Sequence, residues 1–219
     1  MKKLIVASAL AFTTLAGMAT SPKVQASSSA KYSIKQYKST KKYGRGSVTF
    51  SYQLPQLKGK SAAIKKINKD LRNAYMDKAK YKNALFADAK TSILEDGHAY
   101  PFKDITKANV TYNSKNVISI RWTYYYRNAF TSDFIIGGWT YSLKTGKKLN
   151  IFDASQGSKK YIKTRLYNAA LKFGATKSEL SDYKASKVGF FIKRGKVYAY
   201  PSILVSTAAK SIVFNSRYK

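Results

Sequence analysis

The sequence predicts an α+β domain, a mostly antiparallel sheet with helices packed on one face. Three observations lead there. Residues 47–54, 117–127 and 133–143 alternate apolar and polar side chains, the period of a half-buried strand. Residues 61–79 and a segment ending before Gly174 place apolar side chains three and four apart, the period of a helix. The order is strands, helix, strand cluster, helix, strands, with no repeat of fixed period.

Taken in order, residues 1–26 have the form of a secretory signal peptide. Lys2 and Lys3 precede an apolar run at 4–15 that is too short to span a bilayer, and Val24-Gln25-Ala26 supplies a small-x-small cleavage pattern. No cysteine follows the apolar run, and no later stretch has the length or apolarity of a membrane anchor. Residues 27–43 are rich in lysine and serine and read as a flexible basic leader or a frayed first strand. Residues 44–219 are then one domain.

Within it, the strand at 47–54 is closed by Pro55 and Gly59. The helix at 61–79 has Ser61 as its N-cap and Ile64, Ile67, Leu71 and Tyr75 as its apolar stripe. Its opposite face carries Lys65, Lys66, Lys69, Arg72 and Lys80. A second helical piece follows at 81–89. Strands at 109–112 and 117–127 flank an Asn113-Ser114-Lys115-Asn116 turn. In the second of these, Ile118, Ile120, Trp122, Tyr124 and Tyr126 face one way, and Ser119, Arg121, Thr123, Tyr125 and Arg127 the other.

In the strand at 133–143, Gly137-Gly138 signals a bulge or a close backbone approach. Lys144-Thr145-Gly146-Lys147 reads as a hairpin turn in which Gly146 takes positive φ, followed by a short strand-like run at 149–152. No helix N-terminus is expected after the glycine, so a phosphate-cradling role for the turn lacks its physical basis, and Lys147 and Lys148 join a diffuse basic surface. Asp153, Ser155 or Ser158 caps a helix running to Lys172. One further helical turn is expected at 176–183, a hairpin at 188–200 around Lys193-Arg194-Gly195-Lys196, and a last strand at 211–214.

Charge is the dominant compositional feature. Lys plus Arg number 41 against 10 Asp plus Glu, a net charge of +31, and only seven of the basic residues are arginine. Removal of Lys2, Lys3 and Lys23 with the signal peptide leaves +28. Such a field attracts polyanions and repels cations, and the preponderance of lysine argues for point-charge attraction over bidentate phosphate reading. The absence of cysteine excludes disulfides and fits export from a Gram-positive cell.

Catalytic patterns are missing. His98, the one histidine, lies in Glu95-Asp96-Gly97-His98 without zinc-ligand spacing, and no nucleophile elbow, P-loop or dinucleotide fingerprint occurs. The expectation is a non-enzyme with no cofactor and no metal.

Three stretches then stand together: NVISIRWTYYY, WTYSLKTGKKLNIFD, and GFFIKRGKVYAYPSILVSTAAKSIVF after a helix. They resemble the DUF3298 domain family, which includes the extracellular portion of RsiV-type anti-sigma factors. The preceding VTFSYQLPQLKG and AAIKKINKDL resemble the DUF4163 segment that often stands before it, and also before a peptidoglycan deacetylase. The resemblance spans residues 48–214. It implies an α+β extracellular domain and, in RsiV-like proteins, lysozyme binding. The family's Gly-Ala-His-type stretch between the central strands is here Arg127-Asn128-Ala129-Phe130. Lysozyme is itself cationic, so its binding is not carried over to a +28 domain.

The functional expectation is a secreted, non-enzymatic, cell-envelope-associated binding domain held to anionic wall polymers such as teichoic acids, with nucleic acid bound only non-specifically. The alternative is an extracellular sensor or inhibitor domain recognising a protein or a peptidoglycan fragment. A wall-active enzyme is a third reading. The candidate ligand surface comprises Lys65, Lys66, Lys69, Arg72, Arg121, Tyr125, Arg127, Lys147 and Lys148.

Overall fold

A computed structural model describes residues 29–97, 99–201 and 210–219. The signal-peptide segment and His98 lie outside the described residues. The fold is α+β, and it is built on two sheets rather than one.

The larger sheet has five strands in chain order: β1 (Tyr32–Tyr43), β2 (Gly46–Leu57), β3 (Pro101–Asn113), β4 (Val117–Arg127) and β5 (Ser132–Ser142). All neighbours are antiparallel except β2 and β3, which run parallel. A parallel pair needs a crossover, and α1 (Ala62–Lys80) with α2 (Lys82–Leu94) provides it. Both helices pack on one face of this sheet. Ile67 and Leu71 of α1 and Leu85, Phe86, Ala89 and Ile93 of α2 bury against Val48, Phe50, Tyr52 and Leu54 of β2 and Ile118, Ile120 and Trp122 of β4. Burying one large apolar side chain in such a core contributes about 1.5–3 kcal/mol. Gly46 allows α2 to sit close, since a Cβ there would lie 2.7 Å from Ile93.

The second sheet is antiparallel and lies on the opposite face: β6 (Gly189–Lys193), β7 (Lys196–Tyr200) and β8 (Ile212–Asn215). With α3 (Ile151–Ala154) and α4 (Lys159–Lys172) it encloses a second core of Ile151, Ile162, Leu166, Phe190, Ile192, Val197 and Phe214, which meets Val117 of β4. The first helix pair packs on the larger sheet, and the second pair packs with the second sheet. The first pair follows from the apolar stripe of α1. The second pair follows from a second core, which a single-sheet reading of the strand pattern does not reveal.

The two sheets join at small residues. A Cβ on Gly138 of β5 would overlap the Phe190 backbone of β6. Between the two readings of Gly137-Gly138 this selects close approach, because β4 and β5 pair without a register shift; the irregularity lies in β3, between Val110 and Tyr112.

Other expectations need correction. Residues 32–43 are not a leader but a twelve-residue strand paired to β2 along its whole length. Thr40 and Thr49 hydroxyls meet at 3.1 Å across the pair, and the Tyr37 ring stacks on Tyr75 of α1 at 4.1 Å. Its side chains are mostly exposed, as expected of an edge strand, so composition alone mimics a tail. Strand β3 starts at Pro101, eight residues before the predicted onset, because Asp104 and Thr106 occupy inward positions and break the apolar alternation. Residues 151–154 are helical, not extended: Asn150 caps α3 and forms a reciprocal capping box with Asp153, while Ser158 caps α4 through the Tyr161 amide at 3.1 Å. Residues 176–183 form turns, held by Glu179, whose carboxylate accepts from the Thr176 amide and hydroxyl.

Candidate polyanion-binding surface

Ser61 starts α1 by accepting the Ile64 amide at 3.2 Å, and the buried Ala63, Ile67 and Leu71 fix the rotation of the helix. That rotation turns Lys65, Lys66, Lys69 and Arg72 to solvent. The turn after β5 then closes onto the same helix. The Gly146 amide donates to the Ser142 carbonyl at 2.8 Å, the Ser142 amide donates to the Lys147 carbonyl at 2.9 Å, and Gly146 takes φ +68°. A Cβ on Gly146 would stand 2.6 Å from the Ala63 carbonyl and 3.0 Å from the Lys66 Cβ. The glycine thus lets the turn lie against the first turns of α1, and exposed Lys144 and Lys147 join Lys65, Lys66 and Lys69 there.

Asp70 is the acid within this patch. Its carboxylate accepts the buried Tyr141 hydroxyl at 2.6 Å, which ties α1 to β5. Burial, then the carboxylate beside it, pushes the Tyr141 hydroxyl far up, so it remains a proton donor. Lys148 differs from its neighbours. Its ammonium lies 3.7 Å from the centre of the Trp139 ring, and although the residue as a whole is exposed, desolvation of the ammonium lowers its pKa while Asp70 opposes the shift. It packs more than it projects.

Arg121, Tyr125 and Arg127 are on the other face of the sheet, away from α1, since alternation along β4 opposes them to Ile120 and Trp122. The Arg121 guanidinium is 5.9 Å from the Phe191 ring of the second sheet, and its Nε is buried with no hydrogen-bond partner. Arg127 lies 5.7 Å from the Tyr100 ring. A hydrogen bond with Ser132, and then Arg127, lower the Tyr125 pKa. The nine predicted residues therefore fall into two groups on opposite faces of the sheet, and no single groove collects them.

A buried polar row, which the strand pattern of the sequence does not mark, lies on the helix side of β3 and β4. Asp104 and Thr106 of β3 face Tyr126 and Tyr124 of β4 on the helix side, and Trp122 follows in the next rung. Lys78 of α1 reaches over them, 3.7 Å from the Asp104 carboxylate and 3.6 Å from the Tyr124 ring centre. Burial raises the Asp104 pKa and lowers that of Lys78, and each partner's charge works against the other's shift. Asp104 Oδ1, Thr106 Oγ1 and Trp122 Nε1 are buried without a hydrogen-bond partner. Polar residues at inward strand positions were the available signal.

Among the described residues no group of three or more His, Cys, Asp or Glu comes together to hold a metal ion, and no helix is long and apolar enough to cross a membrane. Two ion pairs occur among them, Lys78–Asp104 and Lys80–Asp77, and neither involves the exposed lysines at 65, 66, 69, 144 or 147.

No family model and no curated protein matches the chain. Solved structures do. A crystal structure of a DUF3298 family member from Bacteroides fragilis superposes with a TM-score of 0.53 at 13% identity, over 85% of this chain and 89% of that one. A DUF3298 family protein from Pseudomonas aeruginosa is also similar, with a TM-score of 0.49 at 10% identity over 85% of this chain and 88% of that one. The five-stranded sheet with its crossover helices and docked second sheet is the fold of a DUF3298-type domain.

Proposed function

We propose that the protein is a secreted, non-enzymatic binding domain of the cell envelope, held to anionic wall polymers such as teichoic acids by its positive charge. The observation that carries this reading is the α1 face. Lys65, Lys66, Lys69 and Arg72 are exposed there beside Lys144 and Lys147, none of them in an ion pair, and the acid among them is engaged by Tyr141. Flexible lysines on one exposed face suit a repeating phosphodiester, which offers charge without a fixed shape. The opposite-face cations Arg121 and Arg127 add to the field but not to this patch, and the uncharged Tyr125 adds to neither.

The test is binding of the chain without residues 1–26 to poly(glycerol phosphate) across a salt series. Affinity should fall steeply with salt, and a Lys65→Gln/Lys66→Gln/Lys69→Gln/Arg72→Gln variant should bind about tenfold more weakly, a loss of about 1.4 kcal/mol. Salt-independent binding, or a variant that binds like the parent, would sink the reading.

A second reading, recognition of a peptidoglycan fragment, is favoured by one feature. Half-buried Trp139, Tyr124 and Tyr126 line the β4–β5 edge beside Gly137, over which no side chain packs. Trp122 and Trp139 are 5.0 Å apart there, so their fluorescence should respond to added muropeptides if this reading holds, and stay unchanged if it does not.

A further inference from the structure

Strand β1 ends the five-stranded sheet, so one row of its backbone amides and carbonyls has no strand partner among the described residues. It is long for an edge, with twelve residues spanning about 40 Å. Such an edge is a template for another extended chain. Next to it runs α2. Ser39 and Lys41 of β1, two apart on the helix side, and Lys82, Phe86 and Lys90 of α2, four apart, line a groove of about 320 Å³. The strand period and the helix period thus meet along one line. The floor is apolar, formed by buried Phe86, with the Lys41 ammonium 5.6 Å from its ring centre. The rim is basic, and no acidic side chain lines the groove.

Charge selects the occupant. Lys35, Lys38, Lys41 and Lys42 all lie on β1, which carries no acid. A second copy paired through β1 would set these lysines against one another, a destabilising arrangement. An extended acidic chain would instead meet complementary charge along the strand and at the rim. We propose that β1 and α2 form a docking groove for an extended acidic peptide, which adds as a sixth strand and directs every second side chain into the groove. This surface is separate from the exposed face of α1.

The probe is a fluorescein-labelled ten-residue peptide of alternating threonine and glutamate, measured by anisotropy and by amide chemical shifts of the protein. Shifts should concentrate in residues 32–43 and 82–90. Methylating alternate amide nitrogens of the peptide keeps its charge and removes its strand hydrogen bonds, and should weaken binding about tenfold. The variant Lys41→Gln/Lys82→Gln/Lys90→Gln changes only surface side chains and should also weaken it about tenfold, with an unchanged circular dichroism spectrum. The α1 variant used for the wall polymer should bind the peptide as the parent does, so failure of one surface is read separately from failure of the other. The proposal is overturned if the methylated peptide binds as tightly as the unmodified one, if the shifts fall on α1, if the α1 variant loses peptide binding equally, or if no binding is detected.

Discussion

Ser119 and Ile192 connect the two sheets: the Ser119 hydroxyl accepts the Ile192 backbone amide at 2.8 Å. The same oxygen lies 2.8 Å from the Thr140 hydroxyl, and both Ser119 and Thr140 are fully buried. The edge of the second sheet is therefore satisfied by a side chain from the face of the first, not by another strand. Ser119→Ala strands a buried N–H and should cost about 1–3 kcal/mol, read as a lower urea midpoint with an unchanged slope. A midpoint within error of the parent would show that the amide finds another partner.

Gly146 sits where both backbone and space require glycine. Its φ is +68°, and a Cβ would stand 2.6 Å from the Ala63 carbonyl. Gly146→Ala should destabilise the chain by about 2 kcal/mol or more, from the left-handed penalty plus displacement of the turn from α1. Thermal unfolding measures this, and an unchanged melting temperature would contradict the packing described.

Arg194 is the one non-glycine residue with positive φ among the described residues, at +49°, and with Gly195 at +69° it forms the two-residue turn between β6 and β7. Both central residues of such a turn need positive φ, which asparagine tolerates better than arginine. Arg194→Asn should raise stability by about 0.5–1 kcal/mol, seen as a higher urea midpoint. A lower midpoint would mean that the Arg194 side chain makes a stabilising contact.

Burial raises the Asp104 carboxyl above its ordinary 3.8. The folded state then holds this proton more tightly than the unfolded state does. The contribution of Asp104 to stability should therefore fall as pH rises from about 4 to the raised value, and stay level above it. Asp104→Asn removes the titration, so the stability of the variant relative to the parent should rise across that window. Equal pH profiles for the two proteins would place Asp104 in a more solvated site.

Local pattern was legible where one side chain's position decides the outcome. Ser61 as a cap, the stripe of Ile67 and Leu71, the Gly146 turn and the β6–β7 turn are all readable from spacing and turn chemistry. Strand β1 was not, because an edge strand with most side chains in water has the composition of a tail. The early part of β3 was not, because Asp104 and Thr106 point inward where the alternation predicts apolar side chains.

The sequence by itself determined the α+β class, the strong net positive charge, and the solvent-facing lysines of α1, since each depends on composition or on residues within a turn or two of one another. The tertiary structure alone decided which of the candidate residues share a surface. Lys66 and Lys147 are far apart in the chain and meet because Gly146 packs on Ala63, whereas Arg121 and Arg127 lie across the sheet because α1 covers the Ile120 and Trp122 face of β4. It also decided that β1 runs beside α2. Long-range pairing sets both, through contacts that no local pattern of residues encodes.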